Sequence, residues 1–245
     1  MKGMNKTSIE WTDYTWNPVT GCMGPNGDGV PCLGCYAAKL AQRLRGRCGY
    51  PGTRPFAPTY HADKLRGPSS LKCKATKNPD GKGPMIFAVS MGDIADAGMT
   101  EINEILGEMK RNPDITFQML TKRPEVLAQK VVSTWPDNLW LGTSISAGNE
   151  VYRLDHLRAC AKVGHKLPGK LFVSFEPLRA AICDADLDMI DWIIIGQETG
   201  VRPGIVEVKW YWVDALVRAA KQRGIPYFLK DNLKLPDTYH NWPER

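Results

Sequence analysis

The 245-residue chain has no apolar run approaching the length of a membrane span, and its opening, Met1-Lys-Gly-Met-Asn-Lys-Thr7, lacks the apolar core of a signal peptide. Both absences set the expectation of a cytoplasmic protein with no membrane partner. No Ser-His-Asp set, P-loop or Gly-x-Gly-x-x-Gly motif is present, so hydrolase, ATPase and dinucleotide readings lack support. Strong charge imbalance is also missing. The 32 basic and 26 acidic residues leave a net charge of +6, which is compatible with a polyanionic partner without identifying one. The seven cysteines are an odd number, which argues against a disulfide framework in a reducing compartment. A hydrophobic share of 43% can support a sizeable core.

Three of those cysteines sit close together. Thr15-Trp-Asn-Pro-Val-Thr-Gly-Cys22 runs through a loop rich in glycine and proline (Gly24 to Pro31) into Cys32-Leu-Gly-Cys35-Tyr36. The loop composition permits sharp turns. Ala37, Leu40, Ala41 and Leu44 then fall at i, i+3, i+4 and i+7, one apolar face of a helix. Cys22, Cys32 and Cys35 are thereby expected beside a helix N-terminus, where backbone N–H groups favour anionic sulfur. Such a set suits a soft metal or an iron–sulfur cluster.

The rest of the chain reads as a scaffold. Ser8 to Trp16 alternates bulky and polar residues and is expected to enter the sheet as its first strand. Arg45 to Pro84 has little periodicity and reads as a long excursion able to act as a lid, carrying His61 and Cys73. From Met85 a regular alternation begins. Strands are expected at Met85–Ser90, Ile115–Leu120, Leu139–Ile145, Leu171–Phe175, Trp192–Ile195 and Pro226–Leu229. The intervening helices carry Ile102, Ile105, Leu106 and Met109 (N-capped by Thr100), a segment starting at Pro124, then Val151, Leu154 and Leu157, and finally Val213, Leu216, Val217 and Ala220. Strands alternating with helices predict parallel β/α units in one domain, 1–245, forming a partial or full barrel of the TIM type. In such folds chemistry sits at the C-terminal ends of the strands. The residues there are Gly92 and Asp93, Thr121 to Arg123, Ser144 and Ser146, Glu176, Gln197 and Glu198, and Lys230 to Asn232.

Three readings of the cysteines stay open at this point. A structural zinc site needs a fourth ligand, and Cys48, Cys73 and His61 are available. A four-iron cluster on three thiolates leaves one iron open for a cofactor. Buried thiols with no metal are the third reading, and Cys160 and Cys183 also read simply as small apolar residues.

With cysteines after the first strand and a β/α barrel behind them, the chain resembles the radical S-adenosylmethionine superfamily. Nine residues separate Cys22 from Cys32, where the usual superfamily spacing is three. More closely, the chain resembles a phage and prophage family of unknown function with a three-cysteine motif. The likeness is carried by Trp11 to Cys22, Cys32 to Ala37, Gln118 to Pro124, Leu139 to Ser144, Phe172 to Leu178 and Ile195 to Gly200. Where that family tends to read Phe-Lys-Gln-Trp-Gly, this chain has Leu229-Lys230-Asp231-Asn232.

The resemblance implies a [4Fe-4S] cluster on Cys22, Cys32 and Cys35 and S-adenosylmethionine as cofactor. It places Gly92 and Asp93 at the methionine amino group and Ser144 or Ser146 at the ribose or methionine carboxylate. Glu176, Gln197 and Glu198 would face cofactor or substrate. It further implies an electron donor such as flavodoxin or ferredoxin, and the phage setting implies the host cytoplasm. Asp93 equally reads as a cap for the helix after it, and Glu176, before Pro177, as a turn residue. That setting, with Arg43, Arg45, Arg47, Lys72, Lys74 and Lys77, suggests a nucleotide or a hypermodified DNA base as substrate. The competing expectation is a zinc-stabilised nucleic-acid-binding protein without catalysis.

Overall fold

The computed structural model describes residues 3–71, 76, 83–163, 166–183, 185–199, 204–235 and 239–244. Cys73, Lys72, Lys74 and Lys77 lie outside the described residues. In chain order the strands and helices are β1 (Met4–Lys6), β2 (Tyr14–Trp16), β3 (Val19–Thr20), α1 (Tyr36–Arg43), β4 (Thr59–Tyr60), β5 (Met85–Ala88), α2 (Met99–Lys110), β6 (Thr116–Thr121) and α3 (Pro124–Ala128). There follow β7 (Leu139–Ser144), α4 (Arg153–Ala161), β8 (Lys170–Phe175), β9 (Trp192–Ile195), α5 (Trp210–Gln222) and β10 (Tyr227–Leu229).

Eight strands form one sheet in the order β1-β2-β5-β6-β7-β8-β9-β10. Every pair from β2 to β10 is parallel, and only β1 runs antiparallel to its neighbour. Among the described residues no ladder joins β1 to β10, so the sheet is not a closed barrel. It is nevertheless strongly curved. The Trp11 ring lies 4.8 Å from Phe87 on β5 and 6.3 Å from Trp192 on β9, strands separated by three others. A flat sheet would hold those strands about 19 Å apart, at roughly 4.8 Å per step.

The period of two along each strand divides the apolar residues between two cores. Leu141, Val173, Phe175, Ile193 and Ile195 point outward and pack under the helices, with Ile102, Ile105, Leu157 and Leu216. Phe87, Trp140, Phe172, Trp192, Ile194 and Phe228 point inward around Trp11. Burying each such side chain contributes roughly 1.5–3 kcal/mol. Gly142 on β7 makes room for this inner layer, because a Cβ there would stand 2.6 Å from the Phe172 carbonyl oxygen.

Three expectations about these elements need correction. Ser8 to Trp16 is not one strand: Thr12 N–H donates to Ile9 O, and the turn carries Trp11 into the sheet's concave side. The strand proper starts at Tyr14, and Met4–Lys6 pairs beside it. Gly98, not Thr100, caps α2, with the Glu101 carboxylate accepting from the Gly98 N–H. Val151 lies before α4, not within it.

The described part of the 45–84 excursion is docked rather than lid-like. Its β4 pairs with β3, His61 N–H donates to Pro18 O, and the Trp16 indole N–H donates to Lys64 O at 2.9 Å. Further along, Ser69 and Arg66 hydrogen-bond the fully buried Glu108 of α2, as does Arg111 from within the helix region. At the other end of the chain, residues 239–241 lie along β10. Tyr239 O accepts from Leu229 N–H, the His240 ring stacks on Phe228 at 4.2 Å, and His240 Nε2 stands 3.1 Å from Asp231 Oδ1.

Candidate metal and cofactor site

The cysteine loop is tied down at both ends. Gly21 forms a parallel bridge with Gly92, just beyond β5, and Gly21 N–H donates to Met91 O. Gly92 must lack a side chain here, since a Cβ would lie 2.5 Å from Gly21 O. Cys22 N–H donates to Phe56 O, and Met23 N–H to Asp96 Oδ2 at 2.9 Å. Asp96 also pairs with the buried Arg123 at 2.5 Å. Gly24 takes φ +80°, and a Cβ on it would collide with Val30 O. At the far end Cys35 is the N-cap of α1, its Sγ accepting from Ala38 N–H at 3.4 Å. The expected placement of a cysteine at a helix N-terminus therefore holds. The Trp-Asn-Pro segment before the loop braces it: Asn17 Oδ1 accepts from Met91 N–H and Ser90 Oγ.

All three cysteines line a single cavity of about 420 Å³ over the C-terminal ends of the parallel strands. The inward parity that builds the Trp11 layer continues upward into this cavity. Two residues beyond Trp140 and Gly142 comes Ser144. Beyond Phe172 come Ser174 and Glu176, and beyond Leu120 comes Lys122. Gly92, Asp93, Gln197 and Glu198 complete the expected residues in the lining. Ser146 is not among them. The strand has ended at Ser144, and Ser146 N–H is held by Glu150 Oε2 at 2.6 Å while its carbonyl accepts from Arg179 N–H.

Asp93 is used chiefly by the protein. Its Oδ1 accepts from Ala95 N–H and from Thr121 Oγ1 at 2.6 Å, and its Oδ2 from Lys122 N–H at 2.9 Å. A carboxylate has about four acceptor positions, so one remains for a ligand. Of the two sequence readings, capping is the one the geometry displays, although the element capped is a short 3-10 turn, Ile94–Asp96.

Several lining residues carry contacts that sequence patterns could not announce. Lys122 Nζ stands 3.3 Å from Cys32 Sγ. Lys230 Nζ meets Glu176 Oε1 at 2.5 Å, and Gly196 leaves the space for this pair. Burial raises the Glu176 pKa, with Glu10 adding to the rise and Lys230 opposing it. Arg179 bridges Glu198 at 3.1 Å and Leu33 O at 2.8 Å, joining the cysteine loop to the last strands. The Tyr36 hydroxyl donates to Ser90 O. Asn232 donates to Gln197 O and receives its N–H. For Lys122, Lys230 and Asn232 the available signal was position at a strand end; Arg179 had none.

Cys22, Cys32 and Cys35 bring three thiol donors to one cavity. A tetrahedral zinc ion with Zn–S near 2.3 Å brings its sulfurs to about 3.8 Å from one another. Among the described residues the three sulfurs are not gathered within 4.8 Å. Thiolates bound to separate irons stand farther apart than thiolates on one ion. No fourth cysteine or histidine lines the cavity among the described residues. His61 is held by Thr20 Oγ1 at 2.8 Å, and Cys48 is exposed on the surface. Burial, with Asp93 and Asp96 nearby, pushes the Cys22 thiol up to about 12, so metal binding there would have to displace a proton.

Among the described residues no helix is long and apolar enough to cross a membrane. No curated protein and no solved structure matches the chain. One family model does, over residues 6–236, and on that match the chain belongs to the family described as a protein of unknown function, DUF5131.

Proposed function

We propose that this protein is a radical S-adenosylmethionine enzyme acting on a nucleotide or a base in DNA, with a barrel-like parallel sheet of the kind that superfamily uses. The observation that carries the reading is the convergence of Cys22, Cys32 and Cys35 with strand-end polar residues around one cavity. Those three cysteines would hold a [4Fe-4S] cluster. The chemistry such a group supplies when bound is one-electron cleavage of S-adenosylmethionine to methionine and a 5′-deoxyadenosyl radical, the electron coming from a donor of the flavodoxin or ferredoxin class.

The chain's own residues set the conditions for that chemistry. Lys122 offers positive charge to the Cys32 sulfur. Ser144, Ser174 and the free position on Asp93 offer hydrogen bonds to polar groups of a cofactor. Glu176 and Gln197 line the same cavity. The Trp11 layer closes the floor of the cavity and excludes water from below. A zinc-stabilised nucleic-acid-binding protein would instead need a fourth ligand, and among the described residues the lining offers no further cysteine or histidine.

The deciding experiment is iron and sulfide analysis of protein purified without oxygen, followed by incubation with S-adenosylmethionine and dithionite. About four irons per chain and formation of 5′-deoxyadenosine support the reading. One zinc in a colourless protein sinks it.

A further inference from the structure

A second cavity, of about 330 Å³, lies on the other side of Cys22, between the cysteine loop and the segment after α1. Arg45, Arg54, Gln42 and Thr53 supply its polar lining, and no carboxylate contributes to it. The surrounding sequence is one-sided in charge. From Gly29 to Ala62 the chain has no Asp or Glu but carries Lys39, Arg43, Arg45, Arg47 and Arg54. Arg45 is oriented by Gln42 Oε1 at 2.7 Å and by the Gly52 carbonyl, which leaves most of its donors unused. Among the described residues the Arg54 side chain has no hydrogen-bond or ion-pair partner. Two arginines lining one concave surface, with an amide and a hydroxyl beside them, supply the donor types that the oxygens of a phosphate accept.

The geometry points to this cavity as a phosphate-binding subsite, occupied by a nucleic-acid backbone or by the phosphate of a free nucleotide. The inference deepens the nucleotide part of the proposed function and rests on it. Cys22 and Phe56 line both cavities, so phosphate held in one lies a single residue's thickness from the other.

The test measures binding of a fluorescein-labelled single-stranded 12-mer by anisotropy between 50 and 200 mM salt. Wild-type protein is compared with the Arg45→Gln/Arg54→Gln double variant. Both side chains are exposed, and circular dichroism checks that the fold is kept. Losing two phosphate contacts is expected to weaken binding about tenfold and to lower the salt slope by roughly 1.4, at about 0.7 per contact. The Arg45→Lys/Arg54→Lys variant keeps both charges and should retain the slope. Displacement of the 12-mer by a nucleoside monophosphate at similar concentration assigns the site to free nucleotides; displacement only by longer oligonucleotides assigns it to the backbone. An unchanged affinity and slope in the Gln variant, or no binding of the 12-mer, the monophosphate or inorganic phosphate by wild type, overturns the inference. Iron content is read on the same samples. Binding that needs both arginines in a protein without iron refutes the radical reading and leaves the phosphate site standing.

Discussion

Replacing Asp93 separates two roles for one carboxylate. The side chain is 6% exposed and takes three hydrogen bonds, from Ala95 N–H, Thr121 Oγ1 and Lys122 N–H. Hydrogen bonds to a charged acceptor contribute about 1.5–3 kcal/mol each, and bonds sharing one acceptor do not add fully. Asp93→Ala removes all three and strands the buried Ala95 N–H and the part-buried Lys122 N–H, so the expected cost is about 4 kcal/mol. With a urea dependence of about 3 kcal/mol per molar, the unfolding midpoint should fall by more than 1 M. Asp93→Asn keeps one acceptor oxygen but turns an N–H₂ toward a donor, and should fall between Asp93→Ala and wild type. A double-mutant cycle with Thr121→Val should give a coupling above about 1 kcal/mol. The reasoning fails if Asp93→Ala unfolds within about 1 kcal/mol of wild type yet loses binding of S-adenosylmethionine. Asp93 would then be a ligand residue and not the clasp between the β5 and β6 ends.

Cys22→Ala, Cys32→Ala and Cys35→Ala should each abolish iron retention, whereas Cys160→Ala, buried in α4 under the outer core, should leave it intact; iron and sulfide assays on all four decide this. Gly92→Ala should loosen the cysteine loop through its clash with Gly21 O, costing about 2 kcal/mol in urea unfolding and lowering iron occupancy. Glu108 gives a pH signature. Burial alone would raise its pKa, but hydrogen bonds from Ser69 and Arg111 outweigh that and hold it below the usual carboxylate value. Because the folded-state pKa is depressed, its contribution is present above the unfolded carboxylate pKa and is lost as pH falls through the folded value. Glu108→Gln should therefore cost about 2 kcal/mol at pH 7, and the gap from wild type should close in strong acid; a gap independent of pH would contradict the assignment.

The alternation of apolar strands and amphipathic helices from Met85 onward was legible because burial on both faces writes continuous runs such as Trp192-Ile-Ile-Ile195, and helix faces such as Val213, Leu216, Val217 and Ala220 write the 3.6 period. The start of α1 at Cys35 was legible for the same reason. Less could be read where contacts between distant segments decide the backbone. The turn at Ile9 to Thr12 exists to bury Trp11 against three distant strands, and the docking of the 45–71 segment depends on β3, Trp16 and Glu108.

The candidate site divides along the same line. Sequence alone determined which residues stand at strand ends and that three thiols share one loop, since both follow from local order along the chain. Tertiary structure alone decided that Ser144 lines the cavity and Ser146 does not, that Asp93 spends most of its acceptor positions on the protein, and that Lys122 reaches Cys32 across ninety residues. Those outcomes depend on strand parity, on where each strand stops and on the curvature of the sheet. Each is set by packing between segments far apart in sequence.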